Sequence, residues 1–119
     1  MHTTYNYCRD AVKHFENAYQ KPSLAKTYST LGISSLWLAL YELEETYKIT
    51  SNRVEMKVIY TSGEESTLNK EIENVINMFD KIKSWESSSD KDKCYDMYDY
   101  AFDIQMKCYR LESLYQNSK

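Results

Sequence analysis

The stretch DKDKCYDMYDYAFDIQMKCYRLESLYQ, residues 90–116, carries two periodic patterns at once. Cys94, Met97, Ala101, Ile104, Cys108, Leu111 and Tyr115 recur at spacings of three and four, which makes one apolar seam along a helix. At ~100° per residue, Asp92, Asp96, Asp99 and Asp103 fall together on the opposite side. The seam predicts a helix over 90–116 that packs against others. The stripe asks for an explanation, because Asp96–Asp99 and Asp99–Asp103 are like-charge neighbours that each destabilise an isolated helix slightly. Asp90 and Asp92 sit where a helix N-terminus favours negative charge, but Asp99 and Asp103 lie too deep to benefit. Lys107 and Arg110 partly offset Asp103.

Upstream, Leu68, Ile72, Val75, Phe79 and Ile82 repeat with heptad spacing, and Trp85 extends the row. A helix is therefore expected over 64–85, with Ser62-Gly63-Glu64-Glu65 read as a capping box at its start. Glu86-Ser87-Ser88-Ser89 is a short polar break, and Ser89 or Asp90 can cap the last helix. A connection this short implies that the last two helices form an antiparallel hairpin.

Two more helices precede them. Cys8, Ala11, Val12, Phe15, Ala18 and Tyr19 form a seam over 3–20, with Thr3 or Thr4 as the cap. Lys21-Pro22-Ser23 ends that helix, since proline disfavours helix at the residue before it. Ser23 is the expected cap of a second helix over 23–49. That helix is apolar on several sides: Leu24, Tyr28 and Leu31 start one stripe that Leu36, Leu40, Leu43 and Tyr47 continue, while Ile33, Trp37, Leu38 and Tyr41 spread around the cylinder. Such a helix is central, or its extra face meets another chain, and central packing is the expectation. Gly32 with Ser34 and Ser35 weakens it locally and marks a kink or a close helix crossing.

The segment 53–60 reads two ways. Arg53 to Tyr60 alternates like a strand, yet Asn52 with Glu55 resembles a helix start. A lone strand needs a partner, and residues 3–7 or a second copy are the candidates. A short helix or irregular segment is favoured. The fold expected is all-α: an antiparallel helical bundle of about four main helices, with a short element near 53–60, in one domain spanning 1–119.

Composition agrees. Two glycines and one proline are too few for the many turns of a β-sandwich or barrel. A net charge of −3 argues against nucleic acid as the partner. The three cysteines, Cys8, Cys94 and Cys108, lie on apolar faces with no metal-ligand spacing. They read as reduced, buried thiols of a cytoplasmic protein. No basic-then-apolar leader is seen, and the most apolar run, 33–43, is about half the ~20 residues that span a bilayer. No metal, cofactor or membrane is expected.

Twelve tyrosines are many for 119 residues, and tyrosine is enriched at protein interfaces. The expected function is a small non-enzymatic protein-binding module: an inhibitor, an immunity or anti-defence factor, or a subunit that occludes a partner surface. The partner would carry a basic patch. The expected contact residues are Asp92, Asp96, Asp99, Asp103, Tyr95 and Tyr109, with Trp37 and Tyr41. A homodimer through the second helix or the 53–60 segment is a further expectation.

Two catalytic alternatives exist. Glu42-x-x-Glu45 and Asp96-x-x-Asp99 each place two carboxylates on adjacent helical turns. Such pairs resemble the Mg²⁺-holding motifs of the all-α nucleoside-triphosphate pyrophosphohydrolases, which implies a carboxylate-metal nucleotide hydrolase if the pairs converge. Arg9-Asp10-Ala11-Val12-Lys13-His14 resembles the Arg-x4-His motif of the all-α HEPN ribonucleases. That resemblance implies Arg9 and His14 acting together on RNA at a dimer interface. In that family the motif lies late in the chain, and here it is near the start.

Overall fold

The computed structural model describes residues 2–51, 57–59, 63 and 65–117. Among the described residues it is an all-α bundle of four helices with one small β-ribbon. Helix α1 spans His2–Gln20, α2 Ala25–Ser51, α3 Leu68–Met78 and α4 Lys91–Asn117. Strands β1 (Lys57–Ile59) and β2 (Glu65–Thr67) lie between α2 and α3.

Helix α1 carries the bundle. It packs along both α2 and α4, while the shorter α3 touches α2 and α4 more briefly. The pairings run antiparallel: His2 meets Glu112 at one end of the α1–α4 contact, Cys8 meets Cys108, and Tyr19 meets Tyr95 at the other end. Cys8, Ala11, Phe15 and Ala18 are fully buried, as the seam required. Ala11 and Ala18 are small, which lets neighbouring backbones approach closely. Phe15 supplies the bulk and stabilises the core by about 2–3 kcal/mol through burial. Gly32 of α2 faces it. A Cβ at Gly32 would lie 2.7 Å from Phe15 Cε1 and Cζ, so the glycine marks a close crossing of α1 and α2.

Several expectations change. Helix α2 is not central. Its inner face (Ala25, Ser29, Gly32, Leu36, Ala39, Leu40, Leu43) is buried, but Leu31, Trp37, Leu38 and Tyr41 are exposed. The chief partner of α4 is α1 rather than α3. The heptad row 68–82 does not form one helix. Helix α3 stops at Met78, and the chain continues through i→i+3 bonds: Ile82 N–H donates to Phe79 O and Trp85 N–H to Ile82 O. A 3₁₀ turn has three residues per turn, so Phe79, Ile82 and Trp85 still share one side. Phe79 and Ile82 are buried all the same. The apolar row survived although the helix did not.

The 53–60 segment is also corrected, as far as it is described. Residues 57–59 are a strand, not a short helix, and pair antiparallel with 65–67 rather than with residues 3–7. Residues 52–56 and 60 lie outside the described residues. Gly63 has φ +88, a left-handed conformation that glycine adopts at little cost. Ser62 and Glu64 of the expected capping box are outside the described residues, and Glu65 is in β2. The cap of α3 is Thr67, whose Oγ1 accepts from Lys70 N–H at 3.1 Å. At the other ends, Thr4 is buried inside α1, which begins at His2, and Ser23 lies in a 3₁₀ turn, Pro22–Leu24.

Candidate functional site

Asp90 starts α4. Its carboxylate accepts from Asp92 N–H at 2.8 Å and Lys93 N–H at 3.1 Å, satisfying two of the amides a helix start leaves without intrahelical partners. The preceding break is pinned to α2: Ser88 N–H donates to Ser29 Oγ at 3.0 Å, and the Ser29 hydroxyl lies 3.1 Å from Ser88 O. These anchors fix the rotation of α4. Cys94, Met97, Ala101, Ile104, Cys108 and Leu111 point into the core, while Asp92, Asp96, Asp99 and Asp103 point outward.

The stripe does not face open water throughout. Asp96, Asp99 and Asp103 line one side of an open groove of about 870 Å³ between α4 and residues 81–88. Lys81, Trp85, Tyr100, Phe102 and Met106 are among its other walls, together with the charged Glu86 and Lys93. The four aspartates are outside every ion pair among the described residues. Tyr100 anchors the groove: its hydroxyl donates to Met78 O at 2.8 Å, its ring meets Trp85 at 5.7 Å, and Lys81 Nζ stands 4.5 Å from its centroid. Burial, then the charges of Asp103 and Asp80, push the Tyr100 pKa up, so it remains a neutral donor.

The expected contact residues therefore divide among several places. Asp92 is exposed beside Lys93 but does not itself line the groove. Tyr95 is on the edge towards α1, in a ring cluster with Tyr19 and Tyr98 that Phe102 extends. Tyr109 is exposed on the same edge and meets Tyr5 at 5.6 Å. Trp37 and Tyr41 are exposed on α2 and are not part of the groove. Sequence reasoning missed Lys81, Trp85 and Tyr100. Tyr100 alone had a sequence signal, its position one helical turn from Asp96 and Asp103.

The residues of the catalytic alternatives are not brought together. Among the described residues, no three of His, Cys, Asp and Glu group in a way that could hold a metal ion, so Glu42 and Glu45 do not join Asp96 and Asp99. Arg9 lies over the Tyr5 ring, 5.9 Å from its centroid, whereas His14 stacks on Tyr28. Five residues apart, they leave α1 about 140° from each other and engage different neighbours. Among the described residues no helix is long and apolar enough to cross a membrane.

The three cysteines are free and buried. Cys8 and Cys108 bring α1 and α4 together with their sulfurs 3.5 Å apart. The hydrogen bond to Cys108, then burial, pushes the Cys8 thiol well above its usual pKa. Burial, helped by Asp90, also raises that of Cys94. The groove thus offers carboxylate, aromatic and thioether groups beside two lysines, Lys81 and Lys93, and no known protein family, curated protein or solved structure matches the chain.

Proposed function

We propose that this chain is a non-enzymatic protein-binding module that takes a basic segment of another protein into the groove beside α4. One observation carries the reading: Asp96, Asp99 and Asp103 line a groove whose other walls include Trp85, Tyr100, Phe102 and Met106. Carboxylates at adjacent turns attract Lys or Arg and set the register of an incoming segment. Aromatic faces stabilise the same cations and supply the desolvated contact area from which binding energy comes. The net charge of −3 adds steering towards a basic patch. Occlusion of that patch is the mechanism, as in an inhibitor, an immunity or anti-defence factor, or a small subunit of a complex. The cytoplasm, where free thiols stay reduced, is the proposed setting.

The test is capture of partners by the wild-type protein and by a variant with Asp96→Lys, Asp99→Lys and Asp103→Lys, helicity being checked by circular dichroism. Partner recovery is expected to fall at least about tenfold for a reversal of three charges. Equal recovery by both proteins overturns the reading.

A further inference from the structure

The outer face of α2 repeats a pattern that the bundle does not use. Leu24, in the 3₁₀ turn just before α2, begins a row with Thr27, Leu31, Ser34, Leu38 and Tyr41, in which spacings of three and four alternate. That is the seam of a helix pair. These six residues are exposed, with Leu31 at 43%, Leu38 at 48% and Tyr41 at 62%. The inner face of the same helix is already filled by α1 and α3. Helix α2 thus carries two seams, one spent on the core and one facing water.

Charge along the helix says what fits the second seam. From Lys21 to Tyr41 there is no acidic residue, and Lys26 is the basic one in the first half of α2. After Tyr41 come Glu42, Glu44 and Glu45, with Lys48 held by Glu45 at 3.1 Å. Lys26 and Glu44 are about five full turns apart at 3.6 residues per turn, so they lie on the same edge of the helix. Both are exposed.

We propose that the outer face of α2 pairs antiparallel with the α2 of a second copy of this chain, about a two-fold axis between Ser34 and Ser35. In that register Leu31 of each copy stands level with Leu38 of the other. Lys26 stands level with Leu43 and therefore beside Glu44. Small Ser34 and Ser35 lie at the axis, where the backbones come closest. A parallel pair would set Lys26 level with Lys26 on the opposite edge and leave it no acidic residue of the other copy at its own level. The charge gradient therefore selects the antiparallel arrangement of the two that a two-fold axis can generate, because only that one brings Lys26 beside Glu44. This face is not the α4 groove, and the pairing stands whether or not the groove takes a partner.

The experiment is sedimentation equilibrium on the full chain. The wild type is expected at twice the 14.2 kDa of the monomer at micromolar concentration. Lys26→Glu and Glu44→Lys should each weaken dimerisation about tenfold, since each change is felt at two symmetric places, and the double variant should restore it. Leu38→Glu should give a monomer of unchanged helicity, and Ser34→Cys should cross-link the two copies under mild oxidation. A wild type that sediments as a monomer overturns the proposal. A dimer that survives Leu38→Glu, or a double variant no better than the singles, overturns it as well.

Discussion

The ring of Phe15 occupies the place where any side chain at Gly32 would begin. A Cβ there would sit 2.7 Å from Cε1 and Cζ of the ring. The ring cannot swing away easily, because Phe15 is fully buried and packs edge-on against Trp85 at 5.8 Å.

Gly32→Ala is therefore a contest between two effects. Alanine favours the helix by about 1 kcal/mol, and overpacking a filled core costs about 1–3 kcal/mol. The overlap with a buried ring should win, lowering Tm by roughly 4–10 °C. Adding Phe15→Leu to Gly32→Ala should cost less than the sum of the two single changes, because the smaller side chain vacates the contested space. A rise in Tm for Gly32→Ala alone would show that the crossing has slack.

Ser29→Ala should be more damaging than an ordinary serine substitution. Ser29 is buried, and its hydroxyl accepts from Ser88 N–H while its one proton is shared between Ser88 O and Lys26 O, each at 3.1 Å. Removing it leaves two backbone groups without that partner, which costs about 1–3 kcal/mol. The loss is local as well as global, because the break that positions α4 is tied down here. Hydrogen exchange at 86–90 should accelerate more than in the core of α1. Uniform acceleration would contradict the anchoring role.

Alkaline pH should destabilise the protein. The Cys8 thiol is raised well above 9.0 in the fold by its bond to Cys108 and by burial, and Cys94, Tyr98 and Tyr100 are raised too. Above the ordinary pKa the unfolded chain loses these protons while the native one keeps them. The unfolded state then binds fewer protons, so stability falls as pH rises. Urea midpoints should be flat through neutral pH on account of these groups and decline above about pH 9. Replacing Cys8 by Ala should reduce the slope; an unchanged slope would remove the thiol from the account.

How much of this was legible depends on what each pattern encodes. The α4 seam was legible to the residue, since burial at Cys94, Met97, Ala101, Ile104, Cys108 and Leu111 reflects 3.6-residue periodicity directly. The end of α3 was not. A row at spacings of three and four is compatible with both α and 3₁₀ turns at Phe79 and Ile82. The ribbon of Lys57–Ile59 with Glu65–Thr67 was hidden because backbone hydrogen bonds make it, and Glu65-Ser66-Thr67 has no apolar alternation to announce a strand. Part of the groove was legible as the Asp96, Asp99 and Asp103 stripe. Its far wall was not, because Lys81 and Trp85 reach Tyr100 only once residues 79–88 fold back against α4.

By itself the sequence determined which residues of α1 and α4 turn inward, where α4 begins, and that the chain is an all-α bundle. Those are local matters, set by periodicity and by capping groups a few residues away. Only the tertiary structure decided that α1 rather than α2 carries the packing, that Cys8 meets Cys108, and that three of the four aspartates border a groove. Neighbour choice depends on which surfaces fit at close range, and no one-dimensional period records that. The apolar surplus of α2 shows the difference most plainly. The sequence showed apolar residues on several sides of that helix, and packing took one side into the core and left Leu31, Leu38 and Tyr41 outside it.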